Sequence, residues 1–471
     1  MHTACGEEVA VTSGTDALPP SYPVPLVVDL DGTLVRTDLL LESVLCLVRR
    51  QPWMVFLLPV WLMRGIAAFK EQVARRVSIE MRGLPWRTEF VDDLRRQRAE
   101  GRSLVLATGA NERIARAVSA HWKIFDRVLA SDGAVNLTGE AKRRILVDRF
   151  GEKGFDYAAS GDRADRPVWR SARRAIVIRR EPFGWGALRL GQWTKNLLIF
   201  VPLIAAHRFY DPRLIRDSVL AFVAFGCCAS GGYLLNDLVD LEGDRHHPQK
   251  KLRPLASGRM PLSWAISVIP ALVVFGLALG AAVSLPLAGI LLAYFACSAA
   301  YSLRIKRVAV LDVLFLAGLY TLRIEAGSAA TGIWASHWLL AFSSFLFFSL
   351  ALAKRYGELV IMRRVDGDGA HARGYEIRDE ELLAAMGIAS GYLSVLVLAL
   401  YMTSERAEAL YARPGLLWIL CPLLLYWISH LWFIAHRGKM EHDPIVFAIE
   451  DRTSRILLGL MTAAALVALA V

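Results

Sequence analysis

The chain has 471 residues, 55% of them hydrophobic and 21% charged, with a net charge of +11. Its mean hydropathy of +0.38 is too high for a string of soluble domains at ~150 residues each and excludes a disordered chain. Six cysteines with no CxxC pair exclude a disulfide scaffold. The average covers two unlike parts. Residues 1–180 carry 29 Lys and Arg and 22 Asp and Glu, whereas the longer stretch 181–471 carries 26 and 22 between long apolar runs. A soluble domain followed by a membrane domain is therefore expected. Neither part interleaves basic blocks with aromatics, so no nucleic acid partner is expected.

In chain order, residues 1–21 are small and polar and read as a loose tail. They lack a charged start followed by an apolar core, so no secretory signal is expected. Leu26-Val27-Val28 is a short apolar strand that runs into Asp29-Leu30-Asp31-Gly32-Thr33. Two acids at i and i+2 face the same side of a strand end. One can attack a phosphorus or bind metal, and the other can give a proton to a leaving group. A second apolar strand ends at Thr108-Gly109, Lys142 follows Gly139, and Asp162 and Asp165 follow Gly161.

In this order the four motifs resemble those of the haloacid dehalogenase-like hydrolases, many of which are phosphatases. The resemblance implies an α/β Rossmann-like domain over 22–180 with a helical cap at 43–88. It implies catalytic roles for Asp29, Asp31, Thr108 and Lys142, and Mg2+ held by Asp29, Asp31, Asp162 and Asp165. The fourth motif departs from the family, because Asp162 and Asp165 are three apart rather than four. Within the cap, the eleven residues 53–63 are too few to span a bilayer and are expected to form a buried helix. The Arg-rich stretch 166–185 links to the membrane part.

A spanning helix needs roughly 20 mostly apolar residues. Nine runs qualify: 187–206, 217–237, 262–284, 286–303, 308–331, 337–356, 384–403, 415–435 and 455–471. With residues 1–180 in the cytoplasm, the inside loops 238–261, 304–307, 357–383 and 436–454 hold most of the loop Lys and Arg. The expected product is a multi-pass protein of the cell (inner or plasma) membrane with its N-terminal domain cytoplasmic.

Chemistry concentrates at the end of the second run, in Asn236-Asp237-x-x-Asp240-x-x-x-Asp244. Positions i, i+3 and i+7 share one helical face. Three carboxylates on one face repel each other unless a cation binds, and a hard divalent cation also keeps phosphate oxygens as ligands. Lys251 and Arg253 follow directly and suit a diphosphate.

This cluster matches the first aspartate-rich motif of the UbiA superfamily of intramembrane prenyltransferases. The likeness is closest to the decaprenyl-phosphate phosphoribosyltransferase-like branch. It extends through Gln192-Trp193-x-Lys195-Asn196, Lys251-x-Arg253-Pro254, Tyr301-Ser302-x-x-Ile305-Lys306, Asp312, Arg323, Lys354-Arg355-Tyr356-Gly357-Glu358, Asp443 and Asp451. The resemblance implies an all-α membrane domain of about nine helices over 181–471. It implies catalysis by Asn236, Asp237, Asp240 and Asp244, with Mg2+ on the three aspartates. Substrate would be bound by Lys195, Lys251, Arg253, Tyr301, Lys306, Asp312, Arg323, Lys354 and Arg355.

Most aromatic prenyltransferases of the superfamily carry a second DxxxD cluster, where this chain has only Asp312. That departure favours phosphoribosyl transfer from phosphoribosyl diphosphate to a polyprenyl phosphate. Two other functions remain open at this point. One is transfer of a prenyl group from prenyl diphosphate to an aromatic acceptor. The other is a transporter or lipid-binding protein with a regulatory soluble domain.

Overall fold

The computed structural model describes residues 24–179, 181, 185–247, 249–366, 371–372, 374–440 and 444–470. The tail expected at 1–21 and Asp443 lie outside them. The described chain forms two compact units. The first comprises the residues up to 181 together with Glu242–Ser263, and the second runs from 185 to Leu241 and resumes at Trp264. The single boundary expected after residue 180 is thus joined by two more, because the segment between the second and third apolar runs packs with the first unit.

The first unit is built on five parallel strands, β1 (Leu26–Val28), β2 (Leu104–Asn111), β3 (Arg127–Ser131), β4 (Asp156–Ala159) and β5 (Ala175–Val177), in the order β3-β2-β1-β4-β5. Leu26, Val27 and Val28 pair with Leu104, Val105 and Leu106 on one side and with Asp156, Tyr157 and Ala158 on the other. Strand period two splits these residues between the faces. Leu26, Val28, Leu104 and Leu106 pack with Val91, Leu94, Ile114 and Val118 on one face. Val27, Val105 and Tyr157 pack with Leu146 and Val168 on the other. Both faces are covered, as an all-parallel sheet requires. The strand order reverses at β1, and the carboxyl end of such a switch point is where open α/β sheets bind ligands. Asp29 and Asp31 follow β1 there.

Between β1 and β2 stand the α-helices Leu39–Arg50, Leu58–Met63, Ile66–Ala74 and Thr88–Ala99. Asp38 caps the first by accepting from the Leu41 amide at 3.0 Å. The expectation of a buried helix over 53–63 is met by Met54 and Trp61 alone. Trp53, Val55, Phe56, Val60, Leu62 and Met63 are exposed. The short helices present too little inner face to cover both sides of so apolar a run.

In the second unit, eight helices are long and apolar enough to cross a membrane among the described residues, starting with Pro212–Val239, Leu262–Val283 and Leu285–Leu303. Ser284 turns the chain between the last two and caps the second through the Leu287 amide at 3.2 Å. The run expected first, 187–206, differs. It forms a 3₁₀ helix over Leu190–Phe200 followed by the short α-helix Val201–Ala205. Pro202 at the start of the α-helix lacks an amide donor and cannot continue the preceding ladder. Gly226 lets Trp193 of the 3₁₀ helix approach, since a Cβ there would lie 2.7 Å from the indole ring.

Candidate active sites

In the first unit, the β1 turn and the helix Gly139–Phe150 bring two motifs together. Lys142 Nζ donates to Asp29 Oδ1 at 2.8 Å and to the Tyr157 hydroxyl at 3.1 Å. The Tyr157 hydroxyl in turn donates to Asp165 Oδ1 at 2.8 Å. All four groups are buried. Burial, with the charges of Asp29 and Asp165, pushes the Tyr157 phenol upward and keeps it a donor. Burial and the nearby Asp29 charge also raise Asp165. Tyr157 was not legible as a site residue, since a strand tyrosine usually reads as core.

Asp31 accepts from the Leu39 amide at 2.8 Å, at the start of the helix Leu39–Arg50. Burial, then the Asp38 charge, pushes its carboxyl up to about 8 against the lowering effect of that amide. Thr108 is buried at the end of β2 and accepts from the Ala110 amide at 3.0 Å. Asp162 is exposed and lines a 290 Å³ cavity with Asp31, Asp38, Arg36 and Arg87. The two acids of the fourth motif therefore diverge, Asp165 into the buried chain and Asp162 to the cavity. The cap adds Lys70, which donates to the Gly109 carbonyl at 2.5 Å and Asn136 Oδ1 at 2.7 Å. Burial lowers its pKa.

In the second unit, the helix Pro212–Val239 delivers Asn236 and Asp237 to its last turn, with Asp240 at the cap. A helix C-terminus carries partial negative charge, so acids there call for cations. Asp237 accepts from one Arg189 Nη at 2.5 and 2.7 Å. Asp240 accepts from Lys306 Nζ at 2.5 Å, and Asn236 Oδ1 lies 3.4 Å from the same nitrogen. Arg189 adopts a left-handed backbone, with φ of 52°. It lies in the glycine-rich lead-in to the 3₁₀ helix, and no sequence signal marked it. The third aspartate, Asp244, belongs to the first unit and accepts from Arg253 at 2.6 Å. Lys251 is exposed nearby in sequence.

Two further clusters complete the second unit. Arg323, fully within a span, donates to Asn196 Oδ1 at 3.0 Å, the Leu319 carbonyl at 2.5 Å and the Tyr294 hydroxyl at 3.1 Å. It lies over the rings of Phe225 and Tyr294 at 5.0 Å, and Lys195 shares the Tyr320 ring with it. Asn196 Nδ2 is buried without a hydrogen-bond partner. In the other cluster, Asp312 accepts from Arg355 Nε and the Tyr375 hydroxyl, both at 2.5 Å. Arg355 also donates to Glu358 at 2.7 Å and the Tyr301 hydroxyl at 2.9 Å. These bonds occupy the Arg355 guanidinium with protein groups, and Lys354 beside it is half-buried. A separate apolar cavity of about 800 Å³ is lined by Glu325 and by none of the expected site residues. Asp451 accepts from the Ser454 amide at 2.6 Å and so caps a helix start.

No group of three or more His, Cys, Asp or Glu side chains gathers to hold a metal among the described residues. A small hard cation such as Mg2+ asks for less. It binds through one or two carboxylates and fills its shell with water and substrate phosphate. The pair Asp237 and Asp240, and the strand-end acids Asp29 and Asp162, fit that donor chemistry.

Residues 197–449 match the UbiA prenyltransferase family, and residues 26–149 match the haloacid dehalogenase-like hydrolases. An uncharacterized protein of Sinorhizobium fredii, y4nM, is 35% identical over 475 residues, covering 95% of this chain and 91% of that one. The nodulation protein NoeC of Azorhizobium caulinodans is 35% identical over 278 residues, 58% of this chain and 89% of its own. The decaprenyl-phosphate phosphoribosyltransferase of Mycolicibacterium smegmatis is 32% identical over 280 residues, 58% of this chain and 87% of its own.

Proposed function

Because the chain belongs to the UbiA prenyltransferase family and carries a haloacid dehalogenase-like domain at its N-terminal end, we propose that its membrane unit transfers phosphoribose from phosphoribosyl diphosphate to a polyprenyl phosphate. The first unit then removes a phosphate from a phosphomonoester, with the 5-phosphate of the lipid product as its substrate. In this reading the first unit faces the cytoplasm. The observation that carries the proposal is the pairing of Asp237 with Arg189 and of Asp240 with Lys306. Acids and bases in equal measure at one helix end suit a ligand that is itself polyanionic. The likeness to the phosphoribosyltransferase of Mycolicibacterium smegmatis supports the choice of donor.

A divalent cation, Mg2+ in this reading, supplies charge neutralisation for the diphosphate leaving group. The chain's own residues do the rest. Asp237 and Asp240 offer carboxylate oxygens at the helix end. Arg189 and Lys306 turn their charge from the carboxylates to the diphosphate as it binds. The bond between the anomeric carbon and the diphosphate oxygen breaks with its electron pair leaving on the diphosphate. An oxygen of the lipid phosphate forms the new bond to that carbon. Arg323 and Lys195 hold phosphate charge within the bundle, and the Asp312–Arg355 cluster fixes the facing helices.

In the first unit, Asp29 attacks the phosphorus while Lys142 holds its carboxylate in place. The bond from phosphorus to the ester oxygen breaks as Asp31, protonated at neutral pH, gives that oxygen its proton, and water then hydrolyses the phosphate from Asp29 with Asp31 taking the water's proton.

The test is to incubate membranes bearing the full chain with phosphoribosyl diphosphate labelled in the ribose and with polyprenyl phosphate. Label is expected in the lipid phase, lost in Asp240→Asn. Label that stays aqueous, or label from prenyl diphosphate that enters an aromatic acid instead, overturns the transfer.

A further inference from the structure

The segment Glu242–Ser263 joins two membrane helices, and a loop in that position needs no more than a few polar residues. Here it is long and built into the first unit. Arg245 makes a two-point ion pair with Glu42 at 2.5 and 3.2 Å, both side chains buried. Glu42 also accepts from Thr37 at 2.8 Å. Arg49 pairs with Glu242 at 2.9 Å. Gly258, at φ of +70°, seats the segment against the β1 loop. A Cβ there would lie 2.6 Å from Arg36 Cβ and 3.0 Å from Pro85 Cγ. Only glycine meets both demands cheaply.

This seating has a chemical result. The 290 Å³ cavity lined by Asp31 and Asp162 is also lined by Gly258, Arg259, Pro261, Leu262 and Ser263. Arg36 and Arg87 line the same cavity, Arg36 in an ion pair with Glu181 at 2.7 Å. Arg259 differs from Arg36. It donates to the Ser257 hydroxyl at 3.2 Å and the Leu252 carbonyl at 2.6 Å, both neutral, and has no carboxylate partner among the described residues. It is an exposed cation held by its own loop, in the lining of the cavity that Asp31 also lines. The volume is at the small end of ligand pockets and has room for a sugar phosphate, with any lipid chain attached to it left outside.

We propose that Glu242–Ser263 is the substrate-selecting wall of the hydrolase pocket, and that Arg259 binds a second phosphate one sugar away from the phosphate being removed. The substrate class is a pentose carrying two phosphates, one a monoester to be cleaved and the other retained. The inference rests on the hydrolase reading of the first unit and deepens it. It makes a connection between membrane helices part of the soluble site, so the pocket is complete only when both parts of the chain are present.

The probes are ribose 1,5-bisphosphate and ribose 5-phosphate with the purified full chain in detergent. Phosphate release from each is measured for the wild type and for Arg259→Ala. The KM for the bisphosphate is expected to rise about tenfold, on the scale of one lost charge-assisted contact, and more than the KM for the monophosphate, with kcat little moved. Arg259→Lys is expected to restore part of the preference. Equal changes for the two sugars overturn the proposal.

A second arm needs no turnover. Bisphosphate binding to Asp29→Asn, followed by calorimetry, is expected to weaken about tenfold when Arg259→Ala is added. Unchanged affinity, or no binding in Asp29→Asn itself, overturns the site. Failure of the lipid-transfer reading leaves both arms standing, since neither uses lipid.

Discussion

At the strand ends of the first unit, the acids are not matched one to one with bases. Lys142 bonds Asp29, while burial pushes Asp31 to about 8 and raises Asp165. At the helix end of the second unit, each acid has its own base, Arg189 for Asp237 and Lys306 for Asp240. Surroundings account for the difference. Burial without an ion-pair partner disfavours the charged carboxylate, so an acid there holds its proton. An acid at the end of an apolar helix that must remain charged needs a partner, because an unpaired charge there is costly. In the function proposed above, the same two residue types serve proton transfer in one unit and phosphate binding in the other.

The sharpest break of this comparison is a cross of single variants in the full chain. Asp29→Asn should lower phosphate release about 10³-fold or more, on the scale of losing a nucleophile, and leave lipid labelling intact. Asp240→Asn should do the reverse, with labelling down about 10²-fold or more. Both activities are read on one preparation, and loss of both in either variant would mean that the units act as one site.

Next in size is Arg355→Met. It strands Asp312, which is fully buried and bonded to Arg355 at 2.5 Å. Removing one partner of a buried pair costs about 3–5 kcal/mol. Thermal unfolding in detergent should show it, and Asp312→Asn in the same chain should recover part of the loss.

A smaller effect concerns pH. A carboxyl raised to about 8 holds its proton at pH 7 and releases it as pH climbs through 8. Donation by Asp31 is therefore present below that value and lost above it. Phosphate release from a sugar phosphate should fall about tenfold per pH unit on the alkaline side. With an aryl phosphate, whose leaving group needs little help, that limb should flatten. Retention of the full limb in Asp31→Asn would assign it to another group.

The smallest is Gly226→Ala, whose Cβ would meet the Trp193 ring at 2.7 Å. A cost of about 1–3 kcal/mol in unfolding is expected. No loss would mean that the 3₁₀ helix moves without penalty.

Much of this was legible along the chain. The apolar run ending at Asp29 is a strand at the switch point, and Lys142 meets Asp29. The acids at 237 and 240 end a spanning helix, because helical spacing and apolar length are local properties. Arg189, Lys70 and Tyr157 were not legible. Each reads locally as a link, a cap or a core residue, and each gains its role only from a partner far along the chain. The break in the run 187–206 was understated as well, since hydropathy counts apolar residues and ignores the missing amide of Pro202.

Composition and hydrophobic period by themselves determined that a charged α/β part precedes an apolar helical one, and which acids stand at element ends. Those are consequences of burial and of spacing, and both act within a few residues. Only the tertiary structure decided which base each acid receives, and that Glu242–Ser263 belongs to the first unit. Those depend on long-range pairs such as Arg245 with Glu42, and on a glycine fitting where no side chain could.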